Sequence, residues 1–368
     1  MISIRRVAVL GAGTMGSRIA AHFANAGIPA LLLDIVLPDA PDRSAAAKKG
    51  LETAWKGRPG GFFTDALPAL VTPGNFEDDL DKLATCDWII EAVTEKLDVK
   101  QDLWARVEKV RRPGAIASTN TSGIPLARIA ENFSEELRRH FLGTHFFNPP
   151  RYLHLCEIIP GPATDPALLA DVSDFLDRRL GKGVVPCKDT PNFIANRIGS
   201  LWGSTTFQYA IEDGFTVEEV DALTGSLIGL PNSASFRLID IVGVDIWVHV
   251  GSNLYDMVPD DPWRDRFQAH PVMTELMSRN WLGDKTGQGF YQRVGPAKEI
   301  HALNLSTFEY APAAKPKFAS VEQAKLIEDL PARLRALVAS DDKAGRFLWK
   351  LFRDAMLYSA EQIGRAHV

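Results

Sequence analysis

Gly11-Ala12-Gly13-Thr14-Met15-Gly16 constrains this chain more than any other feature, because of what flanks it. Before it stands a short β-branched and apolar run, Val7 to Leu10, and after it small and apolar residues recur at helical spacing from Thr14 to Ala26. Strand, tight turn and helix follow in that order. Each glycine of the GxGxxG pattern has a physical reason: Gly11 permits the turn, Gly13 lets a pyrophosphate approach the backbone, and Gly16 lets helix and strand pack closely. A diphosphate would rest on N–H groups at the positive end of the helix dipole. A second apolar run, Ala30 to Leu33, ends in Asp34 at the spacing of about 20 residues that dinucleotide sites use. A carboxylate there accepts hydrogen bonds from the ribose hydroxyls and repels a 2′-phosphate, so the expected cofactor is NAD.

Further apolar runs at Trp88 to Val93 and Ala115 to Ser118, with helical stretches between them, predict a Rossmann-like, doubly wound, mostly parallel sheet covered on both faces. Leu97 to Val110 reads as one of those helices, stopped by Pro113 and Gly114. From Pro191 onward the texture changes to helix, at Phe193 to Ile211, Val217 to Leu223 and Ser235 to Ile241. The expected organisation is a dinucleotide-binding domain over 1–189, an all-α domain over 190–294, and a linker with the start of a further helical segment over 295–368. Arg293 to Lys317 is the Pro- and Ala-containing linker in that reading.

With 46% apolar and 24% charged residues, the 368-residue chain has the balance of a soluble globular protein. Its net charge of -5 argues against nucleic acid as a partner, since neutralising phosphates needs clustered cations. Cys86, Cys156 and Cys187 form no CxxC pair and no Cys/His spacing suited to zinc, so neither a disulfide framework nor a metal is expected. No apolar stretch approaches the roughly 20 residues of a membrane span, and no signal peptide is evident, so a cytoplasmic protein is expected.

Thr144-His145-Phe146-Phe147-Asn148-Pro149 places a histidine at the end of an apolar run, where a strand leaves the carboxyl edge of the sheet and ligands bind. Glu157 follows inside a second such run, Leu155 to Ile159, where an unpaired carboxylate would be costly. The two could pair. On the residues alone, a satisfied core histidine and a glutamate at an exposed strand edge remain alternatives.

Taken together, GAGTMG with Asp34, Glu91-Ala92-Val93 with Glu95 and Lys100, Asn120-Thr121-Ser122, His145 to Pro149, Lys188-Asp189-Thr190-Pro191 with Asn196-Arg197, and Lys285 to Tyr291 occur in a distinctive order. In this the chain resembles the L-3-hydroxyacyl-CoA dehydrogenase family, between residues 5 and 291. It is most similar to the dehydrogenase half of the long bacterial fatty-acid β-oxidation proteins that carry an enoyl-CoA hydratase domain. The resemblance implies NAD-dependent oxidation of an acyl-CoA thioester substrate, with His145 as general base, an imidazole being the side chain that changes charge near neutral pH. It further implies that Glu157 orients His145, that Ser122 and Asn196 hold the substrate oxygens, and that Glu95, Lys100, Asn148 and Lys285 are further cofactor contacts beside Asn120. Singly, Ser122 could be a helix cap and Lys100 and Lys285 exposed charges. Gly123 stands where the family usually has a second serine, and Asn232 to Phe236 replaces its usual Gly-Pro-Phe. A dehydrogenase of a small non-CoA hydroxy acid, or an NAD-binding module without turnover, are the competing functions.

Near the end, Arg197, Tyr209 and Glu212 are echoed at identical spacing by Arg346, Tyr358 and Glu361. Ala344 to Gly364 therefore reads as the first helix of a second helical copy that stops short. The closing Ile363-Gly364-Arg365-Ala366-His367-Val368 is a peptide that a common sequencing adapter encodes, so a truncated gene is expected. Phe347, Leu348, Leu351 and Met356 would need burial against the first copy or a second subunit, and self-association through the helical domain is expected.

Overall fold

The computed structural model describes residues 2–365; Ala366, His367 and Val368 of the expected tail lie outside the described residues. The described chain divides into two compact units, 2–194 with 363–365, and 195–362. The first unit begins β1 (Val7–Leu10), α1 (Thr14–Asn25), β2 (Ala30–Asp34), α2 (Ala45–Lys56) and β3 (Val71–Asn75). It continues β4 (Trp88–Glu91), α3 (Leu97–Val110), β5 (Ile116–Thr119), α4 (Leu126–Ile129) and α5 (Glu135–Arg139). It closes with β6 (Phe141–Phe146), β7 (Leu155–Pro160), α6 (Pro166–Leu180) and β8 (Gly183–Pro186).

These eight strands form one sheet in the order β3-β2-β1-β4-β5-β6-β7-β8. All neighbours run parallel except β6 and β7, as the doubly wound expectation requires with one reversal added. Strand order reverses between β1 and β4, the switch point outside which such sheets bind ligands. The strands are buried on both faces: Val7 to Leu10 and Ala30 to Leu33 are at most 2% exposed. Phe23 of α1, Trp88 of β4 and Phe175 of α6 interlock edge to face, the indole 5.5 and 5.9 Å from its two neighbours.

The second unit contains α7 (Ala195–Glu212), α8 (Val217–Leu223), α9 (Phe236–Val242), α10 (Val244–Met257) and α11 (Pro271–Ser278). After these come β9 (Tyr291–Val294), β10 (Glu299–Leu303), β11 (Tyr310–Pro312), α12 (Ala319–Ala324), α13 (Leu330–Val338) and α14 (Lys343–Glu361). Where a linker was expected, β9, β10 and β11 make a three-stranded antiparallel meander. The last two residues of Glu299–Leu303, Ala302 and Leu303, are buried, Leu303 within the helical core, and Gly295 and Lys298, both at positive φ, close the tight turn before the strand. The helical unit is therefore not wholly helical. The replacement for the Gly-Pro-Phe segment is held by Asp221, whose carboxylate accepts the N–H groups of Ser235, Phe236 and Arg237 at 2.7–3.0 Å and caps α9.

One residue of each echoed triplet meets the other. Arg197 of α7 donates to the Tyr358 hydroxyl of α14 at 2.8 Å, and both reach the buried Asp261 carboxylate, at 2.5 and 2.8 Å. Phe347, Leu348 and Leu351 are fully buried against the first helices. Met356, expected with them, is 68% exposed beside Trp349 and Leu357, because its position falls on the opposite face of α14.

His22 of α1 turns inward, with Nε2 3.1 Å from the Leu180 carbonyl oxygen. Burial, reinforced by the charge of Lys182, pushes its imidazole from the ordinary 6.5 down to about 4. The fold accepts the neutral ring, so the contribution of His22 to stability is present above pH 6.5 and is lost as pH falls from 6.5 through 4. By pH 5 the loss is about 2 kcal/mol. The stability difference between the unmodified protein and His22→Leu should therefore shrink by that amount between pH 7 and pH 5 in denaturant titrations. Parallel pH profiles would contradict it.

Candidate active site

The glycine-rich turn has the shape its sequence demands. Gly11 takes φ +99°, and a Cβ on it would lie 2.6 Å from the Ala92 carbonyl oxygen. A Cβ on Gly16 would lie 1.8 Å from the Gly11 oxygen, so α1 and β1 touch backbone to backbone there. A Cβ on Gly13 would meet nothing within 4 Å. That open face is next to Thr14 and Met15, the first residues of α1, where a helix leaves its leading N–H groups without intrahelical partners. Asp34 at the end of β2 accepts the Ala12 N–H at 2.6 Å and the Ile35 N–H at 2.7 Å. Its carboxylate thus sits against the turn itself, and the donor set fits a dinucleotide diphosphate with its ribose at Asp34.

Across the switch point, Glu91 ends β4 fully buried. Its Oε1 accepts Lys100 Nζ at 2.7 Å and the Val93 N–H at 2.8 Å, while Oε2 accepts the Thr119 hydroxyl at 2.7 Å. Lys100 also lies 3.2 Å from Glu95. It is 1% exposed, so it is no solvated charge, and its ammonium is shared by two carboxylates. Glu95 in turn accepts the Thr121 hydroxyl and the N–H groups of Ser122 and Gly123, at 2.9 and 3.1 Å. Burial would raise the Glu95 carboxyl, but Lys100, Thr121 and those N–H groups outweigh it and hold it below the ordinary range. The network fixes the turn that carries Ser122. A Cβ at Gly123 would make only ordinary contact, 3.5 Å from Asn192 Oδ1, so there is room for the serine usual there.

The antiparallel pairing of β6 with β7 sets His145 directly opposite Glu157. Both are buried, and Nδ1 lies 2.7 Å from Glu157 Oε2. A carboxylate only accepts, so Nδ1 carries the proton and Nε2 presents its lone pair. Ser122 Oγ stands 3.1 Å from that Nε2. Glu157 Oε1 also accepts the Ile194 N–H at 3.0 Å, and burial pushes up the neighbouring Cys187 thiol, with Glu157 adding to it. The Ile194 donor is delivered by a strained joint, Asn192 and Phe193 both having positive φ, 61° and 50°. Phe147 and Phe193 flank the imidazole with ring centroids at 4.5 and 5.5 Å.

The remaining expected residues are placed as follows. Asn120 Oδ1 accepts the Phe146 N–H at 2.9 Å and ties the end of β5 to the end of β6. Asn148 Oδ1 accepts Arg18 of α1 at 2.9 Å. Asn196, in the first turn of α7, lines an apolar cavity of about 400 Å³ in the second unit. Lys285, in the same unit but not at that cavity, pairs with Asp245. Arg18, Phe147, Phe193 and the Thr119/Thr121 pair were not expected at the site; Thr121 and Phe147 lie inside the motifs quoted above, while nothing in the local sequence sets Arg18, Thr119 and Phe193 apart from ordinary core and surface residues. Among the described residues no group of three or more His, Cys, Asp or Glu could hold a metal, and no helix is long and apolar enough to cross a membrane.

Residues 6–190 match the family described as "3-hydroxyacyl-CoA dehydrogenase, NAD binding domain", and residues 193–293 match "3-hydroxyacyl-CoA dehydrogenase, C-terminal domain". A Bacillus subtilis protein named "Probable 3-hydroxyacyl-CoA dehydrogenase" is 45% identical over 98% of this chain, which spans only 47% of that relative. A Deinococcus radiodurans protein of the same name is 48% identical over 81% of this chain and 85% of its own length. Among solved structures, (S)-3-hydroxybutyryl-CoA dehydrogenase from Ralstonia eutropha covers 78% of this chain at 29% identity with a TM-score of 0.64.

The buried ammonium of Lys100 offsets two carboxylates, and removing it strands Glu91 in the core. Lys100→Met should cost about 3–5 kcal/mol in denaturant unfolding. A loss below about 1 kcal/mol, the value of an exposed pair, would contradict the buried placement.

Proposed function

Because the chain belongs to the 3-hydroxyacyl-CoA dehydrogenase family, we propose that it oxidises an L-3-hydroxyacyl-CoA to the 3-ketoacyl-CoA, as a step of fatty-acid β-oxidation. The observation that carries the mechanism is the cross-strand pair of His145 and Glu157, with Nε2 turned to Ser122.

NAD belongs at the glycine-rich turn, with its diphosphate on Gly11, Gly13, Thr14, Met15 and Gly16 and its ribose at Asp34; when bound it supplies the acceptor for the hydride leaving C3. His145 Nε2 takes the proton of the 3-hydroxyl. The ring then holds two protons, and the Nδ1–H stays on the Glu157 carboxylate, whose charge stabilises the imidazolium. Ser122 Oγ, 3.1 Å from Nε2, donates to the same substrate oxygen and fixes its approach. Asn196, in the first turn of α7, is taken from the family resemblance as a second donor to substrate oxygen. Lys100 and Glu95 act through the turn of residues 121–123, holding the serine where the imidazole needs it. Phe147 and Phe193 keep water from the ring edges.

The test is NADH appearance with 3-hydroxybutyryl-CoA and with free 3-hydroxybutyrate. The thioester should be the better substrate, and His145→Ala should lower kcat by about 10²–10⁴-fold while NADH still binds. A variant with unimpaired turnover would remove His145 as the base. A preference for the free acid would turn the reading to a small hydroxy acid, and NADH binding without turnover of either would leave only a cofactor-binding module.

A further inference from the structure

The strand that carries His145 returns to the sheet through a loop, residues 147–154, before β7 begins. Phe147 at its start flanks the imidazole, and Asn148 accepts Arg18 of α1, the helix that opens at the glycine-rich turn. The loop therefore connects the histidine to the cofactor helix. Within it, the N–H groups of Tyr152 and Leu153 both close on the Pro149 carbonyl oxygen, at 2.9 and 3.0 Å. Arg151 fastens it on one side, donating to the carbonyl oxygens of Gly60 and Phe62 at 3.0 and 2.6 Å. Lys182, between α6 and β8, supplies the other fastening: its Nζ donates to the carbonyl oxygens of Pro150 and Leu153, the latter at 2.9 Å.

Lys182 is 3% exposed. Its ammonium meets those two carbonyl oxygens and the face of the Phe146 ring, whose centroid is 5.7 Å away, and among the described residues it forms no ion pair with a carboxylate. A charge buried on such partners is costly. Burial accordingly pulls Lys182 from the ordinary 10.5 down to about 8, against an upward pull from Cys156. The titratable groups packed against it are His22 of α1, brought down to about 4, and the Cys156 thiol of β7, pushed up by burial. Neither changes charge between pH 7 and pH 9.5, so in this cluster Lys182 alone does. The ammonium makes hydrogen bonds about twice as strong as those of a neutral amine, and both of them end on the loop.

We propose that Lys182 is a positioning residue for the cofactor: its ammonium gathers the Pro150 and Leu153 carbonyls and so holds the β6–β7 loop in the shape that keeps Asn148 beside α1 and Phe147 against His145. The inference rests on the reading above of His145 as base and on the resemblance by which Asn148 meets NAD. Lys182 touches neither substrate nor cofactor and acts through the loop. Once the amine is neutral the two carbonyls are held less firmly, and the loop spends less of its time in the shape that binds.

The experiment titrates NADH by its fluorescence at pH 7 and pH 9.5 against the unmodified protein, Lys182→Met and Lys182→Arg. In the unmodified protein the Kd should rise about threefold to tenfold between the two. Lys182→Met lacks the donors at both, so its Kd should be raised already at pH 7 and stay level. Arginine keeps its charge throughout, so Lys182→Arg should show no rise. Denaturant unfolding separates positioning from plain support of the fold. The neutral amine no longer buries a charge, so the contribution of Lys182 to stability rises from pH 8 toward 10.5 while cofactor affinity falls. The stability of the unmodified protein relative to Lys182→Met should therefore increase from pH 7 to pH 9.5. A level Kd in the unmodified protein, or an equal rise in Lys182→Met, would overturn the role of Lys182 and leave His145 as base. A rise in Kd that accompanies a loss of stability relative to Lys182→Met would make Lys182 a structural residue only, which also overturns it. If Lys182→Met does not fold, Lys182→Arg decides, an equal rise there being the contrary result. A protein that binds no NADH at either pH sinks the cofactor reading and this one with it.

Discussion

Glu157 puts a carboxylate inside a sheet, with its side chain fully buried, and the site is organised around satisfying it. Left alone such a group costs several kcal/mol. Here one oxygen takes the imidazole N–H of His145 and the other takes the Ile194 N–H, so the same residue orients a ring and anchors the chain as it leaves the sheet. The arrangement depends on β6 and β7 being the one antiparallel pair in the sheet, since only that reversal brings a residue at the end of one strand opposite a residue twelve positions later. Two residues in the left-handed region sit just before Ile194, where the fold accepts backbone strain to deliver its donor.

A second buried carboxylate, Glu91, does for the other side of the cleft what Glu157 does for the histidine. It is satisfied by Lys100, Thr119 and a backbone N–H, and through Lys100 it is coupled to Glu95 and the turn bearing Ser122. The histidine and the serine facing it are thus each tied to a desolvated acid on a different strand. Both acids are satisfied within the protein itself, as the proposed mechanism requires of a preorganised site.

Much of this was legible in the chain itself. Val7–Leu10, Ala30–Asp34 and Leu97–Val110 form as their periodicity requires, because buried parallel strands and amphipathic helices leave strong apolar patterns. The glycines announce themselves because each has a backbone reason to lack a side chain. The facts that arise only from pairing across the sheet were not legible. Residue type alone leaves Lys100 as readily solvated as buried, and only the position of Glu91 on the neighbouring element decides it. The meander at residues 291–312 was hidden by its short strands, and Met356 by its place on the face of α14 opposite the buried one.

The central claim is that the Glu157 carboxylate forces His145 to carry its proton on Nδ1 and to offer Nε2 as a lone pair to the reacting oxygen. Ring-nitrogen shifts from ¹⁵N-histidine NMR at neutral pH read that tautomer directly. The account predicts a protonated Nδ1 and a bare Nε2 for His145, with the preference weakened in Glu157→Gln. A bare Nδ1 with the proton on Nε2 in the unmodified protein would contradict it.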